Sequence, residues 1–304
     1  MKRNDFLQDA DVSGFLDFFS CCLSLLEVNY FTNFNQIHPR QRNFHVIGVS
    51  AAHASYAWPA VNTFSLPPYP TIYDWPSTFK FLQTARATLQ NAIASNNDPA
   101  TWDTVEKILE WGLSPNAKAN NLNQLKRHCN GKSVSAYLKN IQASLGLSGI
   151  DTKNITSTLI PYASSGMSKV HSLASTDGLI IFDSRVAATV GECINEYLRR
   201  NMCNVIPQKL LIYREARHQR TPIPLTGGNN HPIFIRDYHW IECQVRVSWM
   251  FEEVLSRNPT IFPGQAMPAR MHSLEAACFM MGAYLTPGPY AGRAFNFAKC
   301  WKQQ

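Results

Sequence analysis

The chain has 304 residues, 45% of them hydrophobic, enough to bury a core as one large domain or two small ones and too apolar for a disordered segment. Charged residues make up only 16%, and 28 basic against 21 acidic side chains leave +7, which favours an anionic partner: nucleic acid first, then membrane surfaces and acidic metabolites. No run of 18 apolar residues is present, so no membrane-spanning helix is expected, and Asp9, Asp11 and Asp17 interrupt any signal-peptide core. The eight cysteines are scattered, none in C-x-x-C, so the expectation is reduced, mostly buried thiols in a cytoplasmic protein rather than a zinc ribbon or a disulfide scaffold.

In chain order, residues 1–76 read as a loop-rich N-terminal region. Phe15 to Leu26 is apolar with small polar breaks and fits either a buried helix or a strand. The Asn-, Pro- and aromatic-rich run after it, ending in Pro67-Pro68-Tyr69-Pro70 and Trp75-Pro76, reads as irregular. From Ser77 the pattern turns helical and opens a domain over 77–304, since Phe79, Leu82, Ala85, Leu89 and Ile93 share one face. Asp98-Pro99 predicts a cap and a first-turn proline, starting a helix that ends at Gly112. Further helices are predicted over Pro115–His128, Ser133–Leu145, Ser184–Asn201, Arg236–Arg257 and Pro268–Leu285. Between them, Val205-Ile206 and Leu210–Tyr213 fit strands and Thr226–Asn230 a loop. The fold class expected is mainly α.

The stretch richest in chemistry is 161–200. A turn, Ser164-Ser165-Gly166, leads into a helix bearing Lys169, and an extended apolar run, Leu179-Ile180-Ile181-Phe182, delivers Asp183 to the start of the next helix. At a helix N-terminus, backbone N–H groups and the dipole hold a carboxylate ionised. The phrases Ser168-Lys169-Val170 and Phe182-Asp183-Ser184-Arg185-Val186-Ala187-Ala188 resemble the active-site segment of the helix–hairpin–helix DNA glycosylases, in particular the bacterial branch with the 8-oxoguanine-glycosylase fold. The resemblance is strong over 161–200, weaker over Trp240–Leu255 and Leu274–Met281, and absent before Ser77.

That resemblance implies a bilobal helical core of helix–hairpin–helix type and an enzyme that flips a base out of the duplex and cleaves its glycosidic bond. Asp183 matches the catalytic aspartate and Lys169 the lysine that, in bifunctional members, attacks C1′. Ser165, Gly166 and Ser168 fall where the family hairpin grips a DNA phosphate, although Ser165 and Met167 stand in place of its two glycines. Leu173 stands where 8-oxoguanine enzymes carry a sulphur side chain that stacks on the base, so the oxidised-guanine reading lacks its most specific feature. Related prokaryotic glycosylases remove glucosylated hydroxymethylcytosine from phage DNA in antiviral defence. Polar loops at Asn120–Gln124 and Gly227–His231 suit such a bulky modified cytosine, with 8-oxoguanine repair or a non-catalytic DNA-binding role as the alternatives.

Positive charge is concentrated over 199–220, where Arg214, Arg217 and Arg220 suit backbone phosphates, or simply form a solvated basic face. Arg185 fits a phosphate contact or a pair with Glu192. Tyr238 and Trp240 suit a base pocket or the core. Neither a phosphate-cradling glycine loop nor a zinc-deaminase signature occurs. The expectation is therefore a cytoplasmic, monomeric enzyme without metal or cofactor, acting on double-stranded DNA that contains a modified base.

Overall fold

The computed structural model describes residues 1–33, 41–66, 71–129, 131–160, 162–213, 220–233, 237–283, 285 and 294–300. Among these residues the chain is mainly helical. In order it runs α1 (Arg3–Leu7), α2 (Ala10–Leu25), β1 (Glu27–Asn33), β2 (Gln41–Ile47), α3 (Gly48–Ala54), β3 (Ala60–Val61), β4 (Thr71–Ile72), α4 (Trp75–Ala94), α5 (Asp98–Gly112) and α6 (Pro115–Cys129). It continues α7 (Val134–Ser144), α8 (Ser165–Ala174), α9 (Ser184–Arg200), α10 (Asp237–Arg257), α11 (Met267–Met281) and β5 (Phe295–Asn296). No helix among the described residues is long and apolar enough to cross a membrane.

The helices form where apolar spacing and caps coincide. Asp74 caps α4 by accepting from Ser77 N at 2.8 Å, with Pro76 in the first turn. The cap of α5 is Asn97 rather than Asp98, its side chain accepting from Ala100 N at 3.1 Å. Asp98 lies one step inside and works elsewhere: its carboxylate accepts from Ser133 Oγ (2.7 Å) and Ser135 N (2.9 Å), holding the start of α7. Those bonds keep the Asp98 carboxyl below the usual carboxylate range.

Four expectations are corrected. The described residues within 1–76 are not loop-rich, because α2 buries Phe15, Leu16, Phe18, Phe19, Cys22 and Leu23, while β1 and β2 pair antiparallel from Glu27–Ile47 to Asn33–Gln41, and Pro67-Pro68-Tyr69-Pro70 lies outside them. Phe15 to Leu25 is therefore helix. Val205-Ile206 and Leu210–Tyr213 form no strand; a 3₁₀ turn, Gln208–Leu210, lies there instead. Asn120–Gln124 is no loop either, since it sits inside α6, where Asn121 is buried and bonds back to Ala117 O at 2.8 Å. Lastly, Leu179–Phe182 is neither strand nor helix.

The chain divides into two compact units. The first comprises Met1–Arg3, Ala57–Phe182 and Arg236–Ser248, and the second Asn4–Tyr56, Asp183–Ile235 and Trp249–Gln304. The boundary expected after residue 76 falls within α4.

In the first unit, α8 packs against α4, α5, α6 and α7. Its core holds Phe81, Leu89, Val105, Ile108, Leu109, Leu138, Val170 and Leu173, and β3 and β4 form a two-residue ladder. In the second, α9 packs on α2 and α11, beside the sheet β2-β1-β5. Its core is aromatic: Phe15 stacks on Phe19 at 5.4 Å, and Phe6 lies 5.7 Å from Trp249.

One buried ionisable group makes the first unit sensitive to acid. His171 on α8 is fully buried, its Nε2 3.1 Å from Tyr137 Oη, and burial lowers its pKa to about 3. The folded chain thus keeps His171 neutral, whereas the unfolded chain protonates it near pH 6.5. Its contribution is complete above that value and drains away as pH falls from 6.5 towards 3, by about 1.4 kcal/mol per pH unit. Urea unfolding measured between neutral pH and pH 4 should show this slope, and His171→Leu, less stable at neutral pH, should have it shallower by one proton.

Candidate functional site

The site is built from the chain between α8 and α9. Ser164 caps α8, its Oγ accepting from Met167 N at 3.0 Å and donating to Asn121 Oδ1 at 2.5 Å. Gly166 is in the first turn of the helix, so close to α6 and to the end of α5 that an added Cβ would lie 2.8 Å from both Asn121 Oδ1 and Leu113 Cδ1. It is a close-packing position. Ser165 O accepts from Ser168 Oγ and from Lys169 Nζ, both at 3.0 Å. Ser168 is fully buried and turns inward, so the expectation that it meets DNA gives way to a packing role.

Lys169 is only 6% exposed. Its stem runs across the α-carbon of Gly112, where a Cβ would come within 2.5 Å of Lys169 Cε. A side chain at that position would make the lysine stem shift. Leu173 does not line a base pocket, because it is completely enclosed in the core of the first unit.

After α8 the chain crosses the interior of the first unit as a strap without regular structure. Leu179, Ile180 and Phe182 are completely buried and Ile181 is nearly so. Buried backbone that joins no helix or sheet must find other partners. Side chains from α8 and α10 supply them. Ser172 Oγ donates to Leu179 O at 2.6 Å, and Gln244 Nε2 donates to Ile180 O at 2.7 Å and to Ser168 O at 3.0 Å. Ser248 Oγ accepts from Ile180 N at 3.2 Å. Phe182 O accepts from both Ser168 Oγ (2.9 Å) and Trp240 Nε1 (3.0 Å). Trp240 is thereby removed from the base pocket expected for it: it is 1% exposed and its one donor is spent on the strap. Tyr238 is half-buried, its ring edge-on to His239 at 4.4 Å.

The next residue, Asp183, opens α9 and belongs to the second unit. Its Oδ1 accepts from Arg185 N (2.8 Å) and Val186 N (3.2 Å), and Oδ2 takes no hydrogen bond from the described residues. The side chain is 8% exposed. Two guanidinium groups attend the same turn. Arg220 Nη1 donates to Ser184 Oγ, and Arg185 lies 4.4 Å over the Phe279 ring. Arg185 is 9% exposed, so it is a packed residue of this unit. Arg214 and Arg217 lie outside the described residues.

The rest of α9 is anchored by buried charge. Glu192 accepts from Arg199 Nη2 (2.9 Å) and from Ile223 N (2.7 Å), while Glu196 meets Arg199 (2.9 Å) and Arg200 (2.8 Å). Asn195 Nδ2 donates to Ile223 O at 2.9 Å, and His231 Nδ1 accepts from Ile212 N at 3.2 Å. These bonds hold Ile212, Ile223 and His231 in place within the second unit.

Lys169, Ser165, Gly166, Ser168, Leu173, Tyr238 and Trp240 thus belong to the first unit, and Asp183, Arg185 and Arg220 to the second. Among the described residues no group of three or more His, Cys, Asp or Glu side chains could hold a metal ion. No family model, curated protein or solved structure matches the chain.

The residues that sequence reasoning missed are those that hold the strap. Gln244→Leu fills the space but leaves the carbonyl of Ile180, which joins no helix or sheet, without the amide that donates to it, which should cost about 1–3 kcal/mol. Urea unfolding of this variant beside Gln244→Glu should show both destabilised; full stability in Gln244→Leu would mean that the strap does not depend on the amide.

Proposed function

We propose that the chain is a DNA glycosylase, with Asp183 as its catalytic carboxylate. The observation that carries this reading is the state of Asp183: nine-tenths buried, one oxygen pinned by two backbone N–H groups, the other without a hydrogen bond from the described residues, and two arginines at the same helix turn. The N–H groups at the start of α9 fix the position of the carboxylate. Such a carboxylate suits a reaction whose transition state carries positive charge. As the bond from C1′ to a flipped base lengthens, the sugar becomes oxocarbenium-like, and a fixed negative oxygen stabilises it without reorganising. The base leaves with the bonding electrons, water delivers hydroxyl to C1′ and its remaining proton ends on the released base, giving an abasic site.

Lys169 is the second catalytic candidate. Its burial and its bond to Ser165 O support water, not the amine, as the nucleophile. The enzyme acts on double-stranded DNA as a cytoplasmic monomer in this reading, within a bilobal helix–hairpin–helix core. A bulky modified cytosine, glucosylated hydroxymethylcytosine in phage DNA, is the base proposed, and 8-oxoguanine is the second candidate. The exposed polar turn at 226–229 supports the first, and the enclosure of Leu173 in the core gives the second no stacking group there.

Duplexes carrying cytosine, hydroxymethylcytosine, its glucosylated form, uracil or 8-oxoguanine, incubated in EDTA and scored by alkali cleavage, test the activity. Asp183→Asn keeps an oxygen for the helix cap but lacks the charge, so base release should fall at least about a hundredfold at equal folded fraction. Turnover equal to wild type in that variant removes Asp183 from the chemistry. Borohydride added during turnover should trap no protein–DNA adduct; an adduct that disappears in Lys169→Gln would make the lysine the nucleophile.

A further inference from the structure

The first unit carries a groove of about 580 Å³ that the proposed chemistry does not use. Its walls are one face of α5, with Trp102 and Glu106 one turn apart, and one face of α6, with Leu122, Lys126 and Cys129. Gly131 and Lys132, in the turn before α7, close one end. The volume lies within the range of small-molecule sites.

Its chemistry is one-sided. Trp102 is half-buried against the core, takes no aromatic partner among the described residues, and leaves part of its ring to the groove. Lys126 and Lys132 are exposed and neither meets a carboxylate among the described residues. The single acid, Glu106, is already engaged by Lys118 at 3.3 Å. Nearby acids are occupied as well: Asp103 by Lys107 at 2.8 Å and Asp98 by the start of α7. Within the lining itself two lysines stand against one glutamate, beside the part of the indole ring that is left to the groove. An aromatic platform flanked by cations is the arrangement that holds single-stranded nucleic acid, with a base on the ring and phosphates on the lysines.

We propose that this groove binds a single-stranded segment of DNA, one base stacking on Trp102 while Lys126 and Lys132 neutralise the flanking phosphates. The choice of DNA rests on the glycosylase reading above, but the binding itself needs no base excision. The ligand class follows from the pairing of ring and charge: two lysines alone would suit any polyanion, and the indole adds the requirement for a planar base.

Fluorescence polarisation of a labelled oligothymidylate of about twelve nucleotides, in EDTA, over a range of salt around 0.1 M, tests this on the whole chain. Trp102→Ala should weaken binding roughly 5- to 150-fold, and Trp102→Phe should retain most of it. Lys126→Gln with Lys132→Gln should reduce the log–log salt slope by about 1.4, two contacts at about 0.7 each. Circular dichroism and melting of each variant establish that it is folded. Unchanged affinity and slope in folded variants would overturn the proposal. So would an acidic peptide of equal charge competing as well as the oligonucleotide, since that would make the site a polyanion or peptide groove. The two readings also fail separately. Abasic sites formed by a protein with no strand affinity would discard the groove and keep the glycosylase; strand binding lost in the groove variants, from a protein that releases no base, would do the reverse.

Discussion

A peptide that enters the interior without joining a helix or a sheet brings polar groups that must be satisfied there, and the strap from Leu179 to Phe182 does this. Four apolar side chains draw it inward, while five polar side chains from α8 and α10 make that position tolerable: Ser168, Ser172, Trp240, Gln244 and Ser248. Each of those bonds contributes about 1 kcal/mol net, but an unpaired carbonyl at the same depth costs about 1–3 kcal/mol. The arrangement is therefore more a constraint than a reward. It also determines where the chain emerges. Asp183 follows immediately along the chain and caps α9.

Polarity in α9 obeys the same rule on a larger scale. The helix is buried along most of its length and carries Glu192, Asn195 and Glu196 inward, each met by arginine or backbone. Removing one partner from such a set leaves an uncompensated charge or amide, which is costlier than losing the pair together. The structure concentrates this kind of dependence in the stretch where the sequence resembles a glycosylase active site, so mutational sensitivity there reports packing as well as chemistry.

The helices were largely legible because their signals are local. Spacing of apolar residues and capping side chains located α4 to α7 and α9 to α11 within a few residues, and an error such as Asp98 for Asn97 at the cap of α5 is a shift of one position. The hairpin of β1 and β2 was illegible, since its strands alternate weakly and contain asparagine, and their pairing is a tertiary fact. The strap was legible only as an extended apolar run, because four consecutive apolar residues look the same whether they pair in a sheet or cross a core unpaired. Its supporting residues escaped notice for a similar reason: a serine or glutamine on a helix reads as a solvated position until the chain it bonds to, 64 residues away for Gln244 and Ile180, is known. The candidate site was legible at Asp183, whose cap geometry is local, and not at Leu173 or Trp240, whose surroundings are set by the core.

The order in which these groups are synthesised matters for how the chain reaches its fold. The strap is complete once residue 182 has been made, yet two of its donors, Trp240 and Gln244, and its acceptor Ser248 arrive only with α10. During translation the first unit must wait, with an apolar segment unable to bury its backbone, while about 60 further residues leave the ribosome, a delay of several seconds at ordinary elongation rates. Contacts of that sequence separation slow folding in a renatured chain as well. The first unit is thus a late-closing structure, and its interior stays open to chaperones, and to aggregation, until α10 arrives.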